Sequence, residues 1–244
     1  MNILSKSKLK VLADYRHQKR CDEDGLFVVE GPRLCDEAVR SGFRIRTICG
    51  TSDYLSRCGK IQADIYEVTD AELERLSNQR TPNQVWMLVE RQTIEIGRQP
   101  VVIALDGLQD PGNMGTIMRT ADWFGIRHIV CSRQTVSCYN PKVIQSTMGA
   151  IFRTKVEYTD LPTRIEELHS EGYNIYGAML DGEDLFKIEP QRPAVIVIGN
   201  EGNGISAEVA KAIDNAITIP NIGGTCESLN AATAAAIIVS AFYR

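Results

Sequence analysis

The sequence is poor in the residues that build metal sites and disulfide frameworks. Its 244 residues include three histidines and seven cysteines, an odd number without a C-x-x-C pair. No spacing among these residues matches a metal-binding set. We therefore expect no metal, and cysteines that stay reduced and mostly serve as packing residues.

Long apolar runs and a cleavable leader are also missing. No stretch approaches the length that spans a bilayer, and the start MNILSKSKLK has neither an apolar core nor a cleavage site. The composition, 43% hydrophobic and 24% charged, is typical of a soluble globular protein. These features predict a cytoplasmic protein that does not contact a membrane.

An excess of positive charge is absent from the chain as a whole, because the formal net charge is −4. The first twenty residues differ, since they set one acid, Asp14, against a local cluster of bases: Lys6, Lys8, Lys10, Arg16, Lys19 and Arg20. A basic arm of this kind can neutralise phosphates even on an acidic protein. A solvated N-terminal helix is the alternative explanation of the same cluster.

Two alternating patterns of strands and helices divide the chain. Residues 1–90 read as a small α/β domain with a basic arm, and its short helix at 70–77 is predicted to have Asp70 as N-cap. Residues 91–100 lose the periodicity and read as a linker. Residues 101–244 alternate apolar strands with helices, one of them predicted over 141–152, which indicates a mostly parallel sheet covered on both faces.

Nucleotide-binding fingerprints are missing after the first strand of the second domain. The loop there reads D-P-G-N-M-G, which is neither the G-x-G-x-x-G of a dinucleotide site nor a Walker A motif. The spacing also disfavours the glycine-rich turn of the common methyltransferase fold. Asn113 is predicted as the N-cap of the following helix.

Arg119 lies on this helix, on the side opposite the apolar face of Ile117, Ala121 and Phe124. One interpretation makes it an exposed arginine paired with Asp122 at i+3. The other makes it a clamp for phosphate or substrate at the carboxyl ends of the strands. Position alone leaves both open.

Two glycine-lined loops follow the last strands. The first carries Gly199, Gly202 and Gly204 around a single charge, Glu201, and Ser206 then caps a helix. The second leads to Ser228 at a predicted helix N-terminus, with Asn230 one turn inside. Ordinary glycine turns are one explanation. The other is a shared pocket whose backbone groups contact a flat ligand such as adenine.

Five stretches together carry a resemblance to a known family. They are N-M-G-T-I-M-R-T-A at 113–121, I-G-N-E-G-N-G-I at 198–205, I-P with E-S-L-N at 219–230, YNPKVIQSTMGAIFR at 139–153 and FVVEGPRLCDEAV at 27–39. In this order they resemble the SpoU (TrmH-like) RNA ribose 2′-O-methyltransferases of the SPOUT superfamily. Two departures stand out: Asn221 replaces a methionine next to a one-residue insertion, and Gln145 replaces a common arginine.

The resemblance implies an α/β fold with a deep trefoil knot at the C-terminus, preceded by a small RNA-binding domain. In the knot, residues 219–230 would pass beneath the 199–204 loop. The resemblance also implies S-adenosylmethionine as cofactor and a homodimer formed through the knotted domain. The C-terminal helix is apolar nearly all round, which predicts complete burial, in such an interface or, alternatively, at the centre of a monomer.

The site residues implied by the family pattern fall into three groups. Catalysis is assigned to Asn113, Arg119, Glu201, Ser228 and Asn230. Cofactor contacts are expected at Met179, Gly199, Glu201, Gly204, Ile219 and Leu229. RNA contacts are expected from Lys8, Lys10, Arg16, Lys19, Arg20, Arg33 and Lys142.

The predicted function is S-adenosylmethionine-dependent methylation of a ribose 2′-hydroxyl in structured RNA, with ribosomal RNA ranked first. A tRNA target is the alternative within the same class. A catalytically silent RNA-binding or assembly protein is the alternative from a different class, and the intact set of five catalytic positions argues against it. A nucleotide-binding oxidoreductase is disfavoured by the missing fingerprint.

Overall fold

The computed structural model describes residues 2–243. The first elements along the chain are β1 (Asn2–Ile3), α1 (Lys6–Ala13), α2 (Gln18–Asp24), β2 (Leu26–Glu30), α3 (Pro32–Arg40), β3 (Ile45–Gly50), α4 (Ser52–Leu55), β4 (Asp64–Glu67), α5 (Asp70–Leu76) and β5 (Val85–Glu90). The later elements are β6 (Val101–Leu105), α6 (Pro111–Trp123), β7 (His128–Ser132), α7 (Pro141–Thr147), β8 (Lys155–Thr159), α8 (Leu161–Ser170), β9 (Asn174–Asp184), β10 (Ala194–Ile198), α9 (Ala207–Ala210), β11 (Asn215–Thr218) and α10 (Ala231–Phe242).

One compact unit comprises the chain up to Thr93 together with Tyr139–Phe152. Its five-stranded sheet has the order β1-β4-β3-β5-β2. The β3–β4 pair is parallel, whereas β2 and β3 both pair antiparallel with β5. The strands β2 and β5 are buried almost throughout because they consist of LFVVE and VWMLVE, so they form the centre of this unit.

The segment Tyr139–Phe152 packs in this first unit, although the sequence pattern placed it in the second domain. Its aromatic ends surround Phe27: the ring centroids of Tyr139 and Phe152 lie 5.2 and 6.0 Å from that of Phe27. The predicted helix over 141–152 ends at Thr147, because Met148 and Gly149 adopt positive φ angles of 51° and 100°.

Gln145, which replaces the arginine common in the family, lies in this segment. Its side-chain amide donates a hydrogen bond of 3.0 Å to the backbone carbonyl of Glu30. The glutamine at this position therefore forms a hydrogen bond within the first unit.

The second compact unit comprises Ile94–Cys138 and the chain from Arg153 onward. Its six-stranded sheet has the order β11-β9-β10-β6-β7-β8, and every neighbouring pair is parallel. The strands β6, β7 and β10 are fully buried, as expected for apolar strands covered on both faces. The chain order reverses between β6 and β10, and such a switch point is where open α/β sheets bind ligands.

Two helix starts differ from the predictions by a few residues. The N-cap of α5 is Thr69, which forms a capping box with Glu72, rather than Asp70. The N-cap of α6 is Asp110, whose carboxylate accepts from the backbone N–H of Asn113 at 2.7 Å. Asn113 itself therefore lies inside the first turn of α6. The prediction that Ser206 caps a helix is confirmed.

The C-terminal helix α10 is not completely buried in the single chain, so it is not the central helix of a monomer, which was one of the two predicted arrangements. Ala235, Ile238 and Val239 are buried, whereas Thr233 and Ser240 are exposed on the other side. The two hydroxyl-bearing residues are seven positions apart, so they share one face of the helix. That face is exposed in the single chain.

Within residues 2–243, no helix combines the length and apolar character needed to cross a membrane. All seven cysteines are free thiols: five are buried, Cys58 is half-buried and Cys226 is exposed. The burial of five of the seven agrees with the prediction that the cysteines mostly serve as packing residues.

Candidate functional site

Three loops of the second unit begin at the carboxyl ends of parallel strands. Ile198 at the end of β10 is in register with Leu105 at the end of β6, so the loops 106–110 and 199–206 start side by side. The third loop, 219–230, follows β11 of the same sheet. Parallel pairing therefore brings these stretches to one edge of the sheet.

The carboxylate of Glu201 joins the second of these loops to the first. It accepts hydrogen bonds from the backbone N–H groups of Gln109 and Asp110, both at 3.2 Å, and from Nδ2 of Asn113 at 3.0 Å. Burial acts to raise the pKa of the Glu201 carboxyl, but the hydrogen bonds outweigh it and hold the pKa below its ordinary value. Glu201 is therefore a charged acceptor for the N-terminal end of α6.

Asn113 extends this connection to the third loop. Its side chain is almost completely buried, and its Oδ1 accepts a hydrogen bond of 2.8 Å from Nδ2 of Asn230. Asn230 is the N-cap of α10, because its Oδ1 accepts from the backbone N–H groups of Ala232 and Thr233 at 2.9 and 3.2 Å. Three residues that are far apart in sequence thus form one continuous hydrogen-bond chain.

Ser228 was predicted at the start of α10, with Asn230 one turn inside, and the structure shifts both positions. Asn230 is the cap and Ser228 lies two residues before it. All residues from 221 to 230 are exposed. Among the described residues, the side chain of Ser228 has no hydrogen-bond partner, so its hydroxyl is available to a ligand.

Arg119 is exposed on α6 and forms neither a hydrogen bond nor an ion pair with any residue in the range 2–243. The pairing with Asp122 that its spacing permits is not formed. Asp122 instead binds Arg153, whose Nε lies 2.9 and 3.0 Å from the two carboxylate oxygens. The planar guanidinium of Arg153 binds both oxygens at once, which a single i+3 contact cannot match.

The glycine loop after β10 is closed tightly on itself. Asn200 and Gly204 exchange backbone hydrogen bonds of 2.9 and 3.0 Å. A Cβ at Gly199 would lie 2.2 Å from the carbonyl carbon of Gly204, which no other residue type could tolerate here. Gly204 has a φ of +68°, in the left-handed region that favours glycine.

Asn200 was not among the predicted site residues, yet it organises both neighbouring loops. Its Nδ2 donates to the carbonyl of Gly107 at 2.7 Å, and its Oδ1 accepts from the backbone N–H groups of Gly202 and Asn203. An asparagine that directly follows a buried strand and precedes a glycine turn is the sequence signal that could have identified it.

The remaining cofactor candidates lie at the same edge of the sheet. Met179 is half-buried in residues 178–182, which the pairing of β9 with β11 skips. Ile219 is half-buried just after β11, and Leu229 is 48% exposed. Accessible apolar side chains at the edge of the sheet that also carries the closed glycine loop provide surfaces for an adenosine group, so the residues present fit the expected cofactor.

Asn221 shapes the third loop, where the sequence departs from the family pattern. Its Oδ1 accepts from the backbone N–H of Gly224 at 2.7 Å, and its Nδ2 donates to the carbonyls of Gly224 and Cys226. These contacts close the turn that contains the additional residue. The methionine of the family could not make them.

The candidates for RNA contact all lie in the first unit, including Lys142 on α7. Lys10, Arg16, Lys19, Arg33 and Lys142 are exposed. Two other candidates have partners within the unit: Lys8 Nζ lies 5.9 Å from the ring centroid of Tyr66, and Arg20 pairs with Asp24 at 2.9 Å. No cluster of three or more metal-binding side chains occurs between residues 2 and 243.

Comparison with known proteins assigns both parts of the chain. Residues 100–240 match the model of the SpoU rRNA Methylase family, and residues 6–86 match an MRM3-like substrate binding domain. The chain is 29% identical over 235 residues to the 23S rRNA (guanosine(2553)-2′-O)-methyltransferase RlmP of Bacillus subtilis. This match covers 95% of this chain and 94% of that protein.

Solved structures give the same result. A TrmH-family protein from Porphyromonas gingivalis has 35% identity and a TM-score of 0.90, over 99% of this chain and 98% of the other. The AdoMet-bound rRNA methyltransferase from Sinorhizobium meliloti has 25% identity and a TM-score of 0.87, over 99% and 96%. Since the family model covers more than half of the residues, the chain belongs to the SpoU family of RNA methylases.

Proposed function

We propose that this protein methylates a ribose 2′-hydroxyl in structured RNA, and that ribosomal RNA is its substrate. One observation carries the proposal: the hydrogen-bond chain of Glu201, Asn113 and Asn230 lies at the switch point of the sheet, and its central residue, Asn113, is on the same helix as the unpaired Arg119. The name of the Bacillus subtilis relative, a 23S rRNA 2′-O-methyltransferase, supports both the chemistry and the substrate class.

S-adenosylmethionine is the cofactor, in agreement with the AdoMet-bound structure of the Sinorhizobium meliloti relative. When bound, it supplies an electrophilic sulfonium methyl group. The residues that would hold it are Gly199 and Gly204 through the backbone, and Met179, Ile219 and Leu229 through apolar surface. The Glu201 carboxylate accepts hydrogen bonds from residues at the start of α6. We therefore assign it a structural role in the site rather than a contact with the cofactor.

Arg119 provides a positive charge where the nucleophilic ribose oxygen would gain negative charge. Arginine stays protonated in proteins, so it does not act as a proton acceptor. Its five N–H donors suit a clamp on the phosphate next to the target ribose and on the developing oxyanion. Holding the hydroxyl in line with the methyl group lowers the barrier through proximity. The free hydroxyl of Ser228 is a second contact for the ribose.

The domain arrangement belongs to the same proposal. Residues 1–90 would position the RNA through shape and phosphate contacts of the basic residues. Residues 91–100 would be the linker, and 101–244 a knotted domain in which 219–230 passes beneath the 199–204 loop. The exposed face of α10, with Thr233 and Ser240, is the surface that we assign to a homodimer.

The decisive experiment maps ribose methylation across total RNA from cells with and without the gene. The proposal requires one 2′-O-methyl position in ribosomal RNA to disappear without the gene, and to return when the purified protein and S-adenosylmethionine are added to that RNA. A lost position in tRNA would move the substrate to the other class. If no ribose position changed and no labelled methyl group entered bulk RNA, the protein would be a silent binder.

A further inference from the structure

We infer that the hydrogen-bond chain from Glu201 through Asn113 to Asn230 has a fixed polarity and serves as a positioning device. It holds the start of α10, and the loop before it, against α6, the helix that carries Arg119. The hydrogen-bond chain is a feature of the folded protein, whereas its effect on turnover rests on the proposed methyltransferase function.

The polarity is fixed at one end by Glu201. An ionised carboxylate only accepts hydrogen bonds. The backbone N–H groups of Gln109 and Asp110 already point at it, so the atom of Asn113 that faces it must be the donor Nδ2. The Oδ1 of Asn113 consequently faces the other way, towards α10.

The polarity is fixed independently at the other end by the helix. The Oδ1 of Asn230 accepts from the backbone N–H groups of Ala232 and Thr233, and these donors have no intrahelical acceptor. Nδ2 of Asn230 is therefore the atom that meets Oδ1 of Asn113, at 2.8 Å. Each amide has one orientation that satisfies both of its neighbours, and rotating either would place like atoms face to face.

The chemistry of the three groups fits positioning better than proton transfer. Neither amide titrates in the physiological range, and the carboxylate already accepts three hydrogen bonds. Asn113 is 8% exposed, so water cannot readily replace its partners. Three sequence-distant segments, at residues 113, 201 and 230, therefore depend on one another for their relative placement.

Two substitutions that together leave the net charge unchanged can reverse the donor–acceptor direction of the hydrogen-bond chain. Asn230→Asp keeps the oxygen that caps α10 but removes the donor to Asn113, leaving two acceptors face to face. Glu201→Gln supplies an amide that can either donate to or accept from Asn113, at the cost of one backbone N–H partner. In the double variant, the side-chain amide of Asn113 can rotate by half a turn, so that its Oδ1 accepts from the new amide and its Nδ2 donates to the new carboxylate.

We expect the effect of Glu201→Gln on kcat to change sign, depending on whether residue 230 is asparagine or aspartate. Asn230→Asp alone should lower kcat at least tenfold, and Glu201→Gln alone about threefold. Added to Asn230→Asp, however, Glu201→Gln should raise kcat at least threefold, to about the level of its own single variant. The urea midpoint of the protein without cofactor or RNA should show the same reversal, which tests the chain independently of catalysis.

The matched control is Glu208→Gln with Asn215→Asp, which makes the same changes at two exposed positions of the second unit. There each effect should stay below twofold and be the same in both backgrounds. If Glu201→Gln lowers the urea midpoint equally with and without Asn230→Asp, the fixed polarity is wrong. If the midpoints reverse but kcat does not respond to Asn230→Asp, the positioning role is wrong. A wild-type protein that methylates no RNA would refute the proposed function, while the unfolding data still decide the chain.

Discussion

Asp122 binds Arg153, and not Arg119 on its own helix. The Nη2 and Nε atoms of Arg153 both lie 2.9 Å from carboxylate oxygens of Asp122. Arg119, three residues before Asp122, is left exposed and without an ion-pair partner among residues 2–243. The pair formed by Asp122 and Arg153 thus keeps a neighbouring acid away from the arginine that we assign to the substrate.

Removing Arg153 should therefore affect Arg119. In Arg153→Ala, the freed carboxylate of Asp122 can pair with Arg119 at i+3, an interaction of a few tenths of a kcal/mol, which should lower kcat about twofold. Asp122→Asn added to Arg153→Ala should restore kcat, because no competing charge remains. Steady-state kinetics of the two variants measure this, with Arg127→Ala as an exposed arginine control. An unrestored kcat would mean that Arg153 acts by another route.

Arg119→Ala should abolish turnover while cofactor binding survives. The side chain is exposed and unpaired, so its removal leaves the fold intact, and the loss of a charged donor to the transition state costs roughly 100-fold or more in kcat. Titration calorimetry with S-adenosylmethionine should give an unchanged affinity. Arg119→Lys should be only partly active, because lysine keeps the charge but lacks the planar fork. A collapse of cofactor affinity in Arg119→Ala would contradict the assignment.

Gly199→Ala should disrupt the loop after β10. The added Cβ would lie 2.2 Å from the backbone carbonyl carbon of Gly204, and backbone cannot move aside as a flexible side chain can. We expect a loss of about 1–3 kcal/mol in the free energy of unfolding and a weaker affinity for S-adenosylmethionine. Gly202→Ala is the control within the same loop, since its nearest neighbour, Oδ1 of Asn200, lies at 3.6 Å. Similar urea midpoints for both variants would refute the steric argument.

His128 should make the protein less stable as the pH falls below about 6.5. Burial lowers the pKa of His128 below its ordinary value, and this outweighs the hydrogen bond with Glu157. The unfolded chain therefore takes up a proton at a higher pH than the folded one, so acidification through 6.5 favours unfolding. His128→Gln should reduce this slope in urea midpoints measured between pH 7 and 5. The control His169→Gln replaces an exposed histidine, and an equal reduction there would contradict the prediction.

The elements of the second unit were largely predictable because each depends on short-range patterns. Strands such as VVIAL and AVIVI have no polar residue, which indicates a parallel sheet with both faces covered. Helix starts were less predictable. Asp110 and Asn113 are both good caps three residues apart; Asp110 caps α6, whereas the side chain of Asn113 donates to Glu201, 88 residues away.

The order of motifs determined the family and the cofactor class, and it supplied the candidate residues for the site, since these follow from side-chain chemistry at fixed positions. Tertiary structure alone decided how those residues are used. It placed Tyr139–Phe152 in the first unit through aromatic packing, paired Asp122 with Arg153, and turned Glu201 towards α6. Each of these depends on contacts between segments that only the folded chain brings within hydrogen-bonding or van der Waals distance, and local sequence carries no record of such distances.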